Sequence, residues 1–236
     1  MIGLKELKKY LEQSSYTTVF TGAGISVKSG IPTVGFEDTV LKHDLKLKNQ
    51  INTVSLSSKS FAIKYPVTFY RAYHDVFLDP IFKSGPNISH QVIARLEHDN
   101  KVSAVVTSNI DYLHKIAGSK HVIELWGSLN IERCTGCGRI YSLSVLAQEV
   151  PKCKYCDHLI IPDVIYRNLA PYREQIDKAN EVYRKSELII AVGSSGIYTS
   201  LPSNKRLVVI NPNKSQLDDQ ASLVIREKAE NVFSVL

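Results

Sequence analysis

At 236 residues, with 44% hydrophobic and 22% charged side chains, the chain has the composition of a globular protein long enough for one large or two small domains around a real core. The formal charge of +6 is modest and scattered, apart from local runs such as KELKKY and LKHDLKLK; no aromatic-interleaved basic patch accompanies it, which argues against nucleic-acid binding. No stretch reaches the roughly 18 consecutive apolar residues of a membrane span, and MIGLKELKKYLEQ interrupts its apolar residues with lysines, unlike a signal peptide, so a cytoplasmic location is expected.

Leu4, Leu7 and Leu11, with charges between them, predict a first amphipathic helix. TTVFT (17–21) then reads as a β-branched strand running directly into GAGIS, where a helix start is expected. Later runs of the same texture are SAVVT (103–107), HVIEL (121–125), ELIIAVG (187–193), RLVVIN (206–211) and SLVIR (222–226). Short apolar strands alternating with helical or loop segments predict an α/β fold, a doubly wound parallel sheet covered on both faces. REQIDKANEVYRKS (173–186) reads as a crossover helix before ELIIAVG.

Two segments break this rhythm. Residues 34–86 are polar and helix-leaning, with an aromatic stripe at Phe61, Tyr65, Phe69, Tyr70 and Tyr73 that reads as the core of a small helical module. Residues 131–160 hold all four cysteines, as C-x2-C, fifteen residues, C-x2-C: Cys134, Cys137, Cys153 and Cys156. That spacing fits one tetrathiolate zinc ion, with Gly136 and Gly138 suited to the knuckle. Four sulfur ligands leave no open position for water, so the metal is structural. The expected organisation is a doubly wound domain from 1–33, 87–130 and 161–236, with the helical insertion (34–86) and the zinc module (131–160) forming a smaller lobe.

Chemistry is expected at the strand ends. Gly22 and Gly24 follow the first strand and allow close approach of a phosphate, although no third glycine completes the usual dinucleotide fingerprint. AVGSSG (191–196) offers Ser194 and Ser195, and VINPN presents Asn211 as a ribose hydrogen-bond partner. Several such ends on one sheet point to a ligand crevice at its carboxyl edge, while loops of this kind favour Gly, Ser and Asn in any case. In TSNIDYLHKIAG (107–118), spacing alone lets Asn109 cap the helix and Asp111 complement its dipole.

GAGIS, SGIP, PNISH (86–90), TSNIDYLHKIAG, VIEL-x-GS, the paired C-x2-C motifs, IPDVIY (161–166), VGSS and DDQASLVIR (218–226) stand in the order found in sirtuins, and the chain resembles that family from about residue 3 to its end. The resemblance implies a Rossmann-like NAD-binding domain with a zinc-bearing small lobe, and NAD-dependent removal of acyl groups from lysine of a protein or peptide partner. It implies a cofactor-binding set of Gly22, Ala23, Gly24, Ser26, Asn109, Ile110, Asp111, Gly193, Ser194, Ser195 and Asn211. Within that set, Asn109 and Asp111 match the positions that serve the nicotinamide ribose and carboxamide.

The reactive side departs from the family. Trp126, the chain's only tryptophan, stands where sirtuins carry the histidine that acts as general base, and an indole N–H only donates. Thr33, Val34 and Gly35 replace an acid, a shielding aromatic and an arginine, Ser108 replaces a glutamine, and Tyr166, Arg167 and Asn168 stand where the family has FGE in its peptide-binding stretch. His90, His114 and His121 are read as scaffold residues rather than substitute bases. The expected function is therefore an NAD-binding sirtuin-type protein with deacylation weak, redirected or lost. The alternatives are a non-catalytic NAD sensor or partner-binding protein, and an NAD hydrolase or ADP-ribosyltransferase.

Overall fold

A computed structural model describes residues 2–33, 56–196, 201–202 and 204–236. Among these described residues, nine strands fall at Thr17–Thr21 (β1), Ala104–Thr107 (β2), Val122–Glu124 (β3), Glu132–Cys134 (β4), Ile140–Tyr141 (β5), Ile160–Pro162 (β6), Leu188–Val192 (β7), Arg206–Ile210 (β8) and Leu223–Ile225 (β9). The helices used below are Leu4–Gln13 (α1), Lys59–Lys64 (α2), Pro66–Tyr73 (α3), Ile88–His98 (α4), Leu113–Ile116 (α5), Asp163–Tyr166 (α6), Arg173–Lys185 (α7) and Ala229–Phe233 (α8). No helix among them is long and apolar enough to cross a membrane.

The six strands expected from sequence form one parallel sheet in the order β3-β2-β1-β7-β8-β9. Every residue of β1, β2 and β7 is buried, as central strands covered on both faces require. Alternation along β1 divides two cores. Val19 joins Leu7, Leu11, Val105, Ile190 and Val208 beneath α1, α4 and α8. Phe20 joins Val106, Ile189, Leu207, Ala179 and Tyr183 beneath α7.

The remaining strands make a small antiparallel sheet, β5-β4-β6, around the cysteines. The helical segment and this module share a third core: Phe69, Tyr70, Tyr73 and Leu78 pack with Leu146, Ile161, Val164 and Ile165. The two insertions thus make a single smaller lobe. The aromatic stripe is only partly its core, for Tyr65 is exposed, at the junction where α2 ends and Pro66 starts α3. The part of the insertion before residue 56, with Val34 and Gly35, lies outside the described residues.

Two local expectations are corrected. GAGIS opens no α-helix; two short 3-10 turns, Ala23–Ile25 and Val27–Ser29, follow β1 and stop at Gly30, whose φ is 92°. Gly24, Ser26 and β-branched Ile25 and Val27 are poor helix formers, and the turn conformation lets Ser26 point inward. Nor does Asn109 cap α5: the N-cap is Tyr112, left-handed at φ 64°, and Asp111 before it accepts from Leu113 N–H at 3.0 Å.

Candidate active site at the switch point of the sheet

In the strand order above, the chain reverses direction across the sheet between β1 and β7. Ligands of open α/β sheets bind at such a point, outside the carboxyl ends of the strands. Gly22 and Gly24 leave β1 there, and Gly193 and Ser194 leave β7. Gly24 N–H donates to Gly193 O at 2.8 Å. A Cβ on Gly24 would lie 2.7 Å from Gly193 Cα, and one on Gly22 would lie 2.7 Å from Ser194 Cβ. The glycines therefore let the two loops close on each other, a role the sequence leaves undistinguished from phosphate approach. Ala23 and Gly24 remain partly open, as do Gly193, Ser194 and Asn211, while Ser195 is exposed. Asn211 Nδ2 donates to Ser194 O at 2.8 Å, tying the β8 tip to the β7 tip.

From β2 come Asn109, Ile110 and Asp111. Asn109 Nδ2 lies 3.2 Å from both Gly22 O and Ser26 Oγ, and Ser26 Oγ donates to Asp111 Oδ2 at 2.6 Å. Asp111 is buried, and burial raises its pKa against the lowering effect of the Ser26, Leu113 and Asn109 donors. The structure thus brings Ser26, Asn109 and Asp111 into one bonded cluster joining the tips of β1 and β2. Ile110 packs at the edge of the small-lobe core, facing the other side of the cleft.

Beneath this cluster lie the two buried histidines. His114 Nε2 is 2.9 Å from Thr21 Oγ1, His90 Nε2 is 3.5 Å from Ser26 Oγ, and the rings meet edge to face at 4.8 Å. Burial pulls His114 down to about 4, and burial with the neighbouring His114 holds His90 well below the ordinary imidazole range. Both rings are neutral scaffold. Acid must then destabilise the fold, because the unfolded chain takes protons that the buried rings refuse. The contribution of His114 is complete above pH 6.5 and lost as pH falls toward 4, about 3 kcal/mol in all. The stability gap between the wild type and His114→Gln, from urea midpoints, is expected to narrow across that window. This comparison separates the imidazole from the buried carboxyls of Glu124 and Glu132, whose raised values act with the opposite sign. His121 is far from the cleft, exposed and 3.0 Å from Glu97 Oε1.

Trp126 follows β3 in a turn closed by Gly127 N–H to Glu124 O, with Gly127 at φ 88°. Its indole is partly buried and packs on two cores at once, that of the sheet beneath α7 and that of the small lobe. No histidine among the described residues takes its place at this edge. Next to it is a polar cluster that sequence reading missed. Asp163, buried at the start of α6, accepts from Arg133 Nε at 2.6 Å, from Arg167 Nε at 2.7 Å and from Tyr172 OH. Burial alone would raise Asp163; the three donors outweigh it and hold its carboxyl below the usual range. The i,i+4 spacing of Asp163 and Arg167 was its one local signal.

The four cysteine sulfurs lie within 4.8 Å of one another, with Cys134–Cys156 at 3.4 Å and Cys137–Cys153 at 3.6 Å. A tetrahedral zinc ion at 2.3 Å from each sulfur sets sulfurs about 3.8 Å apart, so the set fits one structural ion. The Tyr141 hydroxyl, 3.1 Å from Cys153 Sγ, pulls that thiol down to about 6, toward the thiolate that a metal needs. Gly138 sits at φ 70°, and a Cβ on Gly136 would lie 2.5 Å from the His158 ring. Both glycines are thus required by the knuckles.

Residues 22–200 match the Sir2 family. Curated relatives include an NAD-dependent protein deacetylase of Cutibacterium acnes, 33% identical over 98% of this chain and 96% of its own length. A deacetylase of Sulfolobus acidocaldarius is 35% identical over 96% and 92%. Among solved structures, one from a study of sirtuin substrate affinity aligns with a TM-score of 0.82 at 30% identity, covering 98% of this chain and 96% of that one. A Sir2 homologue–NAD complex aligns with a TM-score of 0.82 at 29% identity, covering 98% and 91%. With the doubly wound sheet, the zinc-fitting lobe and the ordered motifs, these matches place the chain in the Sir2 family of sirtuins.

Proposed function

We propose that this protein is an NAD-binding sirtuin whose lysine deacylation is weak because an indole replaces the general base. One similar Sir2 structure holds a p53 peptide and NAD+, another an acetylated peptide, and the cofactor side of this cleft suits the same dinucleotide. The β1 and β7 loops meet at the switch point, and Ser26, Asn109 and Asp111 form one preorganised cluster beside them. NAD, when bound, supplies the nicotinamide–ribose bond whose cleavage drives the family reaction. Asn109 and Asp111 offer an amide and a carboxylate, the groups needed to orient a carboxamide. The observation that carries the reading is Trp126, wedged between two cores at the position that the family resemblance assigns to the base, with an indole nitrogen whose lone pair is not basic.

An acylated protein or peptide is the proposed partner. Calorimetric titration with NAD, followed by mass spectrometry after incubation with NAD and a mixed acyl-lysine peptide pool, tests this. Saturable NAD binding with slow release of nicotinamide and O-acyl-ADP-ribose is expected. Absence of NAD binding would overturn the cofactor assignment, and turnover at rates typical of enzymes, about 1–10³ per second, would overturn the argument from Trp126.

A further inference from the structure

The turn that carries Trp126 is gripped by one side chain from the segment after β6. Arg167 Nη2 donates to Trp126 O at 2.7 Å, Nε donates to Asp163 Oδ2 at 2.7 Å, and Nη1 donates to Ala170 O. Its guanidinium carbon lies 3.7 Å from the centroid of the Tyr172 ring. The same turn has no slack against these two side chains: a Cβ on Gly127 would lie 2.9 Å from Tyr172 Cε2 and 3.0 Å from Arg167 Nη2. Asp163 also accepts from Arg133 of β4, but on its other oxygen, Oδ1, so the Arg167 bonds do not run through Arg133.

We propose that Arg167 is the positioning residue of Trp126. Its planar fork ties the Trp126 carbonyl to Asp163 and Ala170 at once, and so keeps the indole seated between the sheet core and the small-lobe core. A lysine carries the charge but cannot make three directed bonds from one rigid plane. Arg133 donates to Oδ1 of Asp163 and to Gly138 O, so its bonds belong to the anchor and not to the grip. The inference rests on the reading of the cleft as an acyl-peptide site only for its consequence: with the fork gone, the indole yields and the peptide entrance widens.

Because Trp126 is the only tryptophan in the chain, its intrinsic fluorescence reports on this turn directly. In the full-length protein without ligand, Arg167→Lys and Arg167→Gln are expected to shift the emission to longer wavelength and to raise acrylamide quenching about twofold, as local opening at one turn would. Arg133→Met is expected to leave both unchanged. Acyl-lysine peptide affinity should change in the Arg167 variants and not in Arg133→Met. Equal spectral effects from Arg133 and Arg167 variants, or none from either, would overturn the proposal. So would loss of folding in both Arg167 variants, since Arg167 would then hold the fold and not one side chain. The quenching experiment contains no NAD or peptide, so its failure is distinguishable from failure of the functional reading.

Discussion

Trp126→His is expected to raise lysine deacylation by about 10²–10⁴-fold, the usual worth of a general base and equivalent to roughly 3–5 kcal/mol of barrier. The geometry favours the substituted imidazole landing where the indole stood. Trp126 is fixed through its backbone, by the Arg167 bond to its carbonyl and by Gly127 packed against Tyr172. Neither contact uses the side chain. The same substitution removes a bulky group that touches two cores, so the melting temperature should fall even as activity appears, by the amount a large-to-small change at a half-buried site costs, about 1–3 kcal/mol. Product formation from an acetyl-lysine peptide, with NAD affinity measured alongside, checks both effects. An unchanged rate with NAD and peptide still bound would show that a base at 126 is not what the site lacks. The deficit would then lie at Thr33 and its neighbours, where the acid, aromatic and arginine of the family are also missing.

The frame of this protein was legible because its cause is local. Each sheet strand is a short apolar run, four of the six lead straight into Gly, Ser or Asn, and all six appear within a residue or two of where pattern places them. Paired knuckle spacing likewise announces the metal site with no help from the fold. The cleft was less legible. That Asn109 reaches Ser26 across 83 positions, and Ser26 reaches Asp111 across 85, depends on β1 and β2 being neighbours with Thr21 opposite Thr107. Spacing along 107–118 instead suggested a cap at Asn109, but the helix starts later, with a left-handed Tyr112 at its N-cap. The Asp163 cluster was hidden for the same reason, since it draws on three segments and only its Arg167 partner is near in sequence. Gly22 and Gly24 were visible, but their close fit to Gly193 and Ser194 is a property of two strands that lie side by side only after folding.

Removing the metal should undo the small lobe while sparing the large sheet. The zinc module has almost no hydrophobic core of its own: Cys134, Cys153 and Ile160 are its buried cluster, and its three strands are two or three residues long. A sheet of that size is not independently stable in water, so four thiolates on one ion must supply what apolar burial does not. Binding free energy of a structural zinc ion appears as folding free energy, about 10–16 kcal/mol in small zinc peptides at neutral pH. Part of that loss should reach the rest of the chain, because β4 pairs with β6 and carries Arg133 to Asp163. One equivalent of zinc is expected in the purified protein, and a strong chelator or Cys153→Ser should lower the melting temperature by about 10 °C or more, since each kcal/mol shifts a chain of this length by about 2–4 °C. Far-ultraviolet circular dichroism should keep most of its signal while amide exchange becomes fast across 132–162. A metal-free protein that melts at the same temperature with and without chelator would sink the assignment, because the four sulfurs would then be holding the lobe by packing alone.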